Sequence, residues 1–92
     1  MKPDRIEQLE VPTLKSLNET GNILRVIGIY LDDTDLWINT ASEDNKLINM
    51  KLTKGLEAWG FMALTMVDTG MIPFPCDIEF GEYDGRQYAE IL

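Results

Sequence analysis

Two glutamates near the C-terminal end of the chain come closest to a catalytic or ligand-binding pair. Asp84-Gly85 is a strong signal for a two-residue hairpin loop. Folding the chain about it sets Glu79 opposite Glu90, Gly81 opposite Tyr88 and Tyr83 opposite Arg86 on one face. Glu82 with Gln87, Phe80 with Ala89 and Ile78 with Ile91 share the other. Facing carboxylates split their pKa values, which suits an acid/base pair or a cation site. Like charges across a strand pair also destabilise it. In water that repulsion is weak, so a solvated outer face with Arg86 or another basic side chain nearby is the leading reading. A small-ligand or cation binder built on Glu79 and Glu90, with Tyr88 beside them, is an alternative.

The densest acidic run is Asp32, Asp33 and Asp35. A calcium loop needs spaced oxygen ligands, a glycine at the turn and a distal glutamate. This stretch has neither the glycine nor the spacing, so it reads as a turn held by local aspartate hydrogen bonds. Glu43 and Asp44 form a second acidic turn. With Asp32, Asp33 and Asp35 they are candidates for contact with a basic partner, although the two turns are expected at opposite ends of one strand. Tyr30 and Trp37 are expected to face each other on the more polar side of the sheet, where aromatic residues often mark a binding surface. The leading expectation covers them instead with an N-terminal arm carrying Ile6, Leu9, Leu14 and Leu17. Met62 and Met66, four apart, are assigned to core packing, and Cys76 to packing without nucleophilic chemistry.

The inventory around these residues excludes whole classes of chemistry. The chain has 92 residues, no histidine and one cysteine. Ser-His-Asp and Cys-His nucleophile systems are therefore impossible within it. A Cys/His zinc site is likewise out of reach, and no metal or other cofactor is expected. Sixteen acidic residues against eight basic ones give a formal net charge of −8. That balance disfavours direct nucleic-acid binding and anionic membranes, and permits a basic partner. No apolar run approaches the roughly 20 residues of a membrane span. The charged start Met1-Lys2-Pro3-Asp4-Arg5 does not read as a signal peptide, and one cysteine fits a reducing, cytoplasmic setting.

The elements that must position these residues follow from periodicity. Residues 1–20 are expected to form a helical arm, with short helices on either side of Pro12 and apolar pairs spaced by three. Residues 23–52 read as a three-stranded meander. The run Ile23–Leu31 is apolar and β-branched, the mark of a central strand. Pairing Leu31 with Leu36, Ile29 with Ile38 and Ile27 with Thr40 lays one apolar face. Ala41 with Leu47, Thr40 with Ile48, Ile38 with Met50 and Leu36 with Leu52 continues it. Thr53 is the expected N-cap of a helix over 54–69. Apolar residues around most of its circumference predict a long, buried helix, with Gly60 marking close approach of a neighbouring backbone and Gly70 its end. Pro73-Phe74-Pro75 reads as a stiff extended connector, and residues 76–92 form the closing hairpin. The fold class expected is α+β, one domain over 1–92, with an antiparallel sheet of about five strands and one buried helix on one face.

The function expected from this inventory is a small acidic, non-enzymatic protein-interaction module. It would act as an inhibitor or adaptor on a basic protein surface, in the manner of immunity proteins, antitoxins or phage anti-defence proteins. A homo-oligomer pairing through its sheet, in the simplest case a homodimer, is the alternative.

Overall fold

A computed structural model describes residues 3–72 and 74–92. The chain forms an α+β unit in which one helix lies on one face of a seven-stranded mixed sheet. The strands are β1 (Arg5–Gln8), β2 (Thr13–Leu14), β3 (Asn22–Asp32), β4 (Asp35–Ala41), β5 (Leu47–Lys51), β6 (Cys76–Tyr83) and β7 (Arg86–Ile91). The helix α1 (Glu57–Asp68) follows a 3₁₀ turn, Lys54–Leu56, and joins β5 to β6.

The turns behave as their residues dictate. Asp84 and Gly85 both adopt positive φ (53° and 76°), which a tight hairpin between right-twisted strands requires. The six pairs of the β6–β7 register match those expected. In the meander Leu31 pairs with Leu36, Ile29 with Ile38, Ile38 with Met50, Thr40 with Ile48 and Ala41 with Leu47, also as expected.

One pairing differs. Val26, not Ile27, opposes Thr40, because the register slips between Val26 and Gly28. Ile27 is the extra residue of a β-bulge, which leaves it unpaired and turns the strand. Its side chain is therefore 37% exposed, whereas Val26 takes the core position. The bulge also lets β3 serve two partners. Residues 22–26 pair with β6, and residues from Arg25 onward pair with β4.

The N-terminal arm is not helical. β1 adds to the edge of β5 in parallel register, with Ile6 beside Asn49 and Gln8 beside Lys51. β2 pairs in parallel with the end of β6. Open strand edges offer backbone hydrogen bonds that a short isolated helix cannot match, and tertiary context overrides weak local propensity. Asp4 fixes the entry to β1: its N–H donates to the Leu47 carbonyl at 2.8 Å and its Oδ2 accepts from the Leu47 N–H at 2.7 Å. The sheet is thus mixed, with seven strands, rather than antiparallel with five.

The helix is shorter and less buried than its composition suggests. Only Gly60 and Ala63 within it are fully buried. Trp59, Leu64, Met66 and Val67 pack partly against the core, while Phe61 and Met62 stand 49% and 55% exposed. The physical reason is layer count. A single sheet covers one side of α1, and among the described residues no element packs on the other. Gly60 meets side chains, not backbone: a Cβ there would lie 2.7 Å from Leu36 Cδ1 and from Leu52 Cδ1. Thr53 does not cap the helix with its side chain; it precedes the 3₁₀ turn, and its hydroxyl donates to Gln87 Oε1. At the other end Gly70 adopts φ 75°, and the Gly70 and Met71 amides donate to the Val67 and Met66 carbonyls. This is a Schellman closure. Of the expected 73–75 connector, Pro73 lies outside the described residues, and the Phe74–Pro75 peptide is cis.

The core sits between α1 and the sheet, around Val26, Leu36, Ile38, Leu56, Ile78 and Phe80, with Leu9 of the arm added. Trp59 meets Phe80 edge to face, their centroids 6.0 Å apart. The bulge makes a testable distinction between two isoleucines that the residue pattern places on one face. Ile38→Ala is expected to cost about 2–5 kcal/mol in chemical denaturation, as a core truncation does. Ile27→Ala is expected to cost less than about 1 kcal/mol. Equal losses would remove the bulge.

Candidate functional site

The face of the sheet opposite α1 carries most of the residues singled out by the sequence. Alternation along the strands places Tyr30, Trp37 and Lys51 in one row, Asn39 and Asn49 in the next, and Glu79 with Glu90 further across. Among the described residues no helix or strand lies over the Tyr30–Trp37 part of this face, because β1 extends the sheet at its edge; the 14–20 segment borders only the Glu79–Tyr88 part. Leu9 and Leu14 are buried, but Ile6 and Leu17 are 66% and 76% exposed. Tyr30 and Trp37 are consequently half-buried and open to the surface, contrary to the expectation that the arm shields them.

A polar seam runs beneath the aromatic row. Asn39 Nδ2 donates to Asn49 Oδ1 at 2.6 Å, and Asn49 Nδ2 donates to the Tyr30 hydroxyl at 2.7 Å. The seam explains why Asn49 is tolerated at a buried position, since buried amides must find partners. Together with Ile27, Leu47 and Pro3 these residues line a depression of about 350 Å³. Trp37 lies along a second groove, of about 520 Å³, with Ile6 and Leu9.

Glu79 and Glu90 oppose each other, but their environments differ. Glu79 Oε2 accepts from the Tyr88 hydroxyl and, at 3.1 Å, from the Gly21 amide. These bonds favour its ionised form and hold its carboxyl below the usual range. The same bond pushes the Tyr88 phenol up to about 12. Glu90 is exposed. Hydrogen bonds from Tyr88 and Gly21 thus stabilise the Glu79 carboxylate, and among the described residues Arg86 forms no ion pair with either glutamate. Tyr88 packs over Gly81: a Cβ at Gly81 would lie 2.6 to 2.7 Å from its ring and hydroxyl. Gly21 is equally confined, since a Cβ there would lie 2.3 Å from the Phe80 carbonyl oxygen. Glu79, Tyr88, Glu90 and Glu19 border a cleft of about 350 Å³ beside Leu14 and Leu17.

The two acidic turns do not join this group or each other. Asp32 and Asp35 pair across the β3–β4 turn, with Asp33 at φ 55°. Asp35 bridges Lys51 at 3.3 Å. Glu43 and Asp44 lie in the β4–β5 turn at the far end of β4, where the Ser42 hydroxyl donates to Asp44 and lowers its pKa. Cys76 is buried, which raises its thiol pKa, and Asp77 adds to the effect while Arg25 opposes it. Among the described residues no three His, Cys, Asp or Glu side chains are grouped to hold a metal ion. No helix is long and apolar enough to cross a membrane among them.

Sequence reasoning missed Gly21, Ile23 and Ile27 as parts of this face. Ile23 sits beside Glu79 in the β3–β6 register and is exposed. The signal for Gly21 was available only in part: the Gly81–Tyr88 pairing implies a ring lying over bare backbone, yet nothing local says where its hydroxyl ends. Comparison with family models, with curated proteins and with solved structures returns no match to this chain.

The Glu79–Tyr88 bond fixes the sign of two pH effects. The folded state holds Glu79 below its unfolded value of 4.5, so this contribution to stability is present above that pH and fades as pH falls through the lowered pKa. Tyr88 is raised from 10.0 to about 12, so its contribution is complete below pH 10 and is lost as pH climbs toward 12. Ultraviolet titration of the folded protein is expected to show a late-ionising tyrosine component from Tyr88. Tyr88→Phe should abolish that component and Glu79→Gln should return it toward the ordinary range. A late component that survives both substitutions would disprove the bond.

Proposed function

We propose that this chain is a small acidic, non-enzymatic protein-interaction module that binds a basic protein surface through the face of its sheet opposite α1. One observation carries the reading: among the described residues no helix or strand lies over the Tyr30–Trp37 part of that face, although it holds aromatic and aliphatic side chains. Ile6, Ile23 and Ile27 are exposed there beside half-buried Tyr30 and Trp37. Apolar and aromatic groups left open on a sheet face, rimmed by polar residues, are the usual make-up of an interaction surface.

The charge on this face supports a cationic partner. Of its basic side chains, Arg25 and Lys51 are each matched by a carboxylate, Asp77 and Asp35, at 3.3 Å, and Arg86 lies exposed at the hairpin end of the face. Glu79, Glu90 and Glu19 outnumber Arg86 and leave the β6–β7 side negative. A chain of net charge −8 attracts a basic partner at long range, and the face supplies contact at short range. Ile23, Ile27, Tyr30, Trp37 and Glu90 form the proposed centre. Asp32, Asp33 and Asp35 at one end of β4, and Glu43 and Asp44 at the other, belong to its rim. The absence of histidine and the use of Glu79 to hold Tyr88 and Gly21 both favour binding over catalysis.

The test compares capture from source lysate by the wild-type chain and by an Ile23→Lys/Glu90→Lys variant, both positions being exposed. The expected outcome is a partner held at low salt, released at high salt and lost by the variant at least tenfold in direct titration, the fall of about 1.4 kcal/mol that two interface contacts supply. A partner bound equally by both proteins, or none sensitive to salt, would refute the proposal.

A further inference from the structure

β3 carries an edge that its neighbours leave unused. β6 pairs with residues 22–26 along one side of the strand, and β4 pairs with residues from Arg25 onward along the other. On the β6 side the strand therefore runs on from Ile27 to Asp32, roughly 20 Å, with no strand beside it among the described residues. The ladder fixes which peptide groups face that side. The Leu36 carbonyl accepts from the Leu52 N–H just past β5. Antiparallel pairs alternate, so Leu36 and Ile38 turn their backbone groups toward β5 and away from β3. Their partners Leu31 and Ile29 consequently aim N–H and C=O away from β4, into the open side. Among the described residues no loop backbone group bonds to either.

Burial and charge mark the same position. Leu31 is 47% exposed although its cross-strand partner Leu36 is 2% exposed, and Ile29 is only half-buried although Ile38 is fully buried. A strand in the open position would complete their cover. Exposed sheet edges are ordinarily blunted with charge. The outer edges carry it, as Arg5 and Glu7 on β1 and as Arg86 and Glu90 on β7. Residues 27–31, Ile-Gly-Ile-Tyr-Leu, carry none. Charge enters at the end of the edge, in the Asp32-Asp33 turn, and neither aspartate makes an ion pair among the described residues.

We infer that the open side of β3 is a strand-addition site for an extended segment of the basic partner, an inference that rests on the function proposed above. The segment runs antiparallel to β3, in line with β6, and exchanges both backbone hydrogen bonds with Ile29 and with Leu31. Its residues opposite Leu31 and Ile29 fall on the helix side and must be apolar. The residues just before them in the segment reach Asp32 and Asp33 and must include Lys or Arg. The pattern recognised is a basic residue followed by two apolar residues at alternate positions. A second copy of this chain supplies a strand but not the cation: it brings a net charge of −8 to an edge that ends in two aspartates.

Amide hydrogen exchange, with a random-peptide library displayed on phage as the probe, tests the inference. In the free protein the Tyr30 amide is expected to be protected by β4, and the Ile29 and Leu31 amides to exchange freely. Selected peptides are expected to share the basic-then-alternating-apolar pattern, and a synthetic copy of one should slow both amides about tenfold or more when bound. Leu31→Pro removes an N–H on the open side alone, so circular dichroism should show the fold kept while the peptide is held about tenfold more weakly. Asp32→Asn/Asp33→Asn should weaken it about threefold and flatten its salt dependence. In lysate capture the two readings separate: a partner lost by Ile23→Lys/Glu90→Lys but held by Leu31→Pro would sink the strand-addition site and leave the face. Ile29 and Leu31 amides already protected in the free chain would also overturn the inference. So would protection that rises with protein concentration alone, the mark of a second copy on the edge, or a library that yields no peptide able to protect both amides.

Discussion

β3 takes part in two hydrogen-bonded pairs, and the arrangement of everything else follows from that. Residues 22–26 hold β6 along one edge, residues from Arg25 onward hold β4 along the other, and the bulge at Ile27 interrupts the β4 pairing just past the overlap. Without the bulge the two halves would share one side-chain phase, and Val26 and Ile29 could not both face the helix. With it, Leu24 and Val26 meet Ile78 and Cys76, while Ile29 meets Ile38. One core is thereby assembled from two hairpins distant in the chain. The same slip pushes Ile27 out on the opposite side, so the feature that joins the sheet also shapes the surface proposed to bind.

The hairpins were legible because their physics is local. Asp84-Gly85 selects a turn with two positive φ angles, and the turn sets all six pairs of β6 and β7. The alternation of Leu36, Ile38 and Thr40 fixes β4 in the same way. The bulge was not legible, since Ile27 is as apolar as Val26 and no glycine or charge marks the extra residue itself; Gly28 follows it but also suits a regular strand. The arm was misread because Arg5–Gln8 has no strand pattern of its own and becomes a strand by meeting the open edge of β5. The helix was overburied for a related reason. Circumferential apolarity reports what a helix is able to bury, and a two-layer chain offers it only one wall.

Among the candidate residues, the pairing of Glu79 with Glu90 was legible and the asymmetry between them was not. That asymmetry depends on Gly21, which is remote in sequence and reaches Glu79 only because β3 begins beside β6. Tyr88 then spans bare backbone at Gly81 and ends on the same carboxylate. One glutamate is thus spent on holding the start of β3, and its neighbour is left to the solvent. The acidic total of the chain likewise divides into local uses: Asp4 receives the β5 amide, Asp44 takes a serine hydroxyl, and Asp35 and Asp77 meet cations.

The short first strand has a further consequence. β1 ends the sheet on one side with four exposed residues, Arg-Ile-Glu-Gln, in which Arg5 pairs with Glu7. A strand this brief, with charge at alternate positions, is a poor template for another backbone. β1 thus replaces the longer, more apolar edge of β5 with one less suited to strand addition. The first few residues of the chain put charge and brevity where a sheet would otherwise end on an apolar strand.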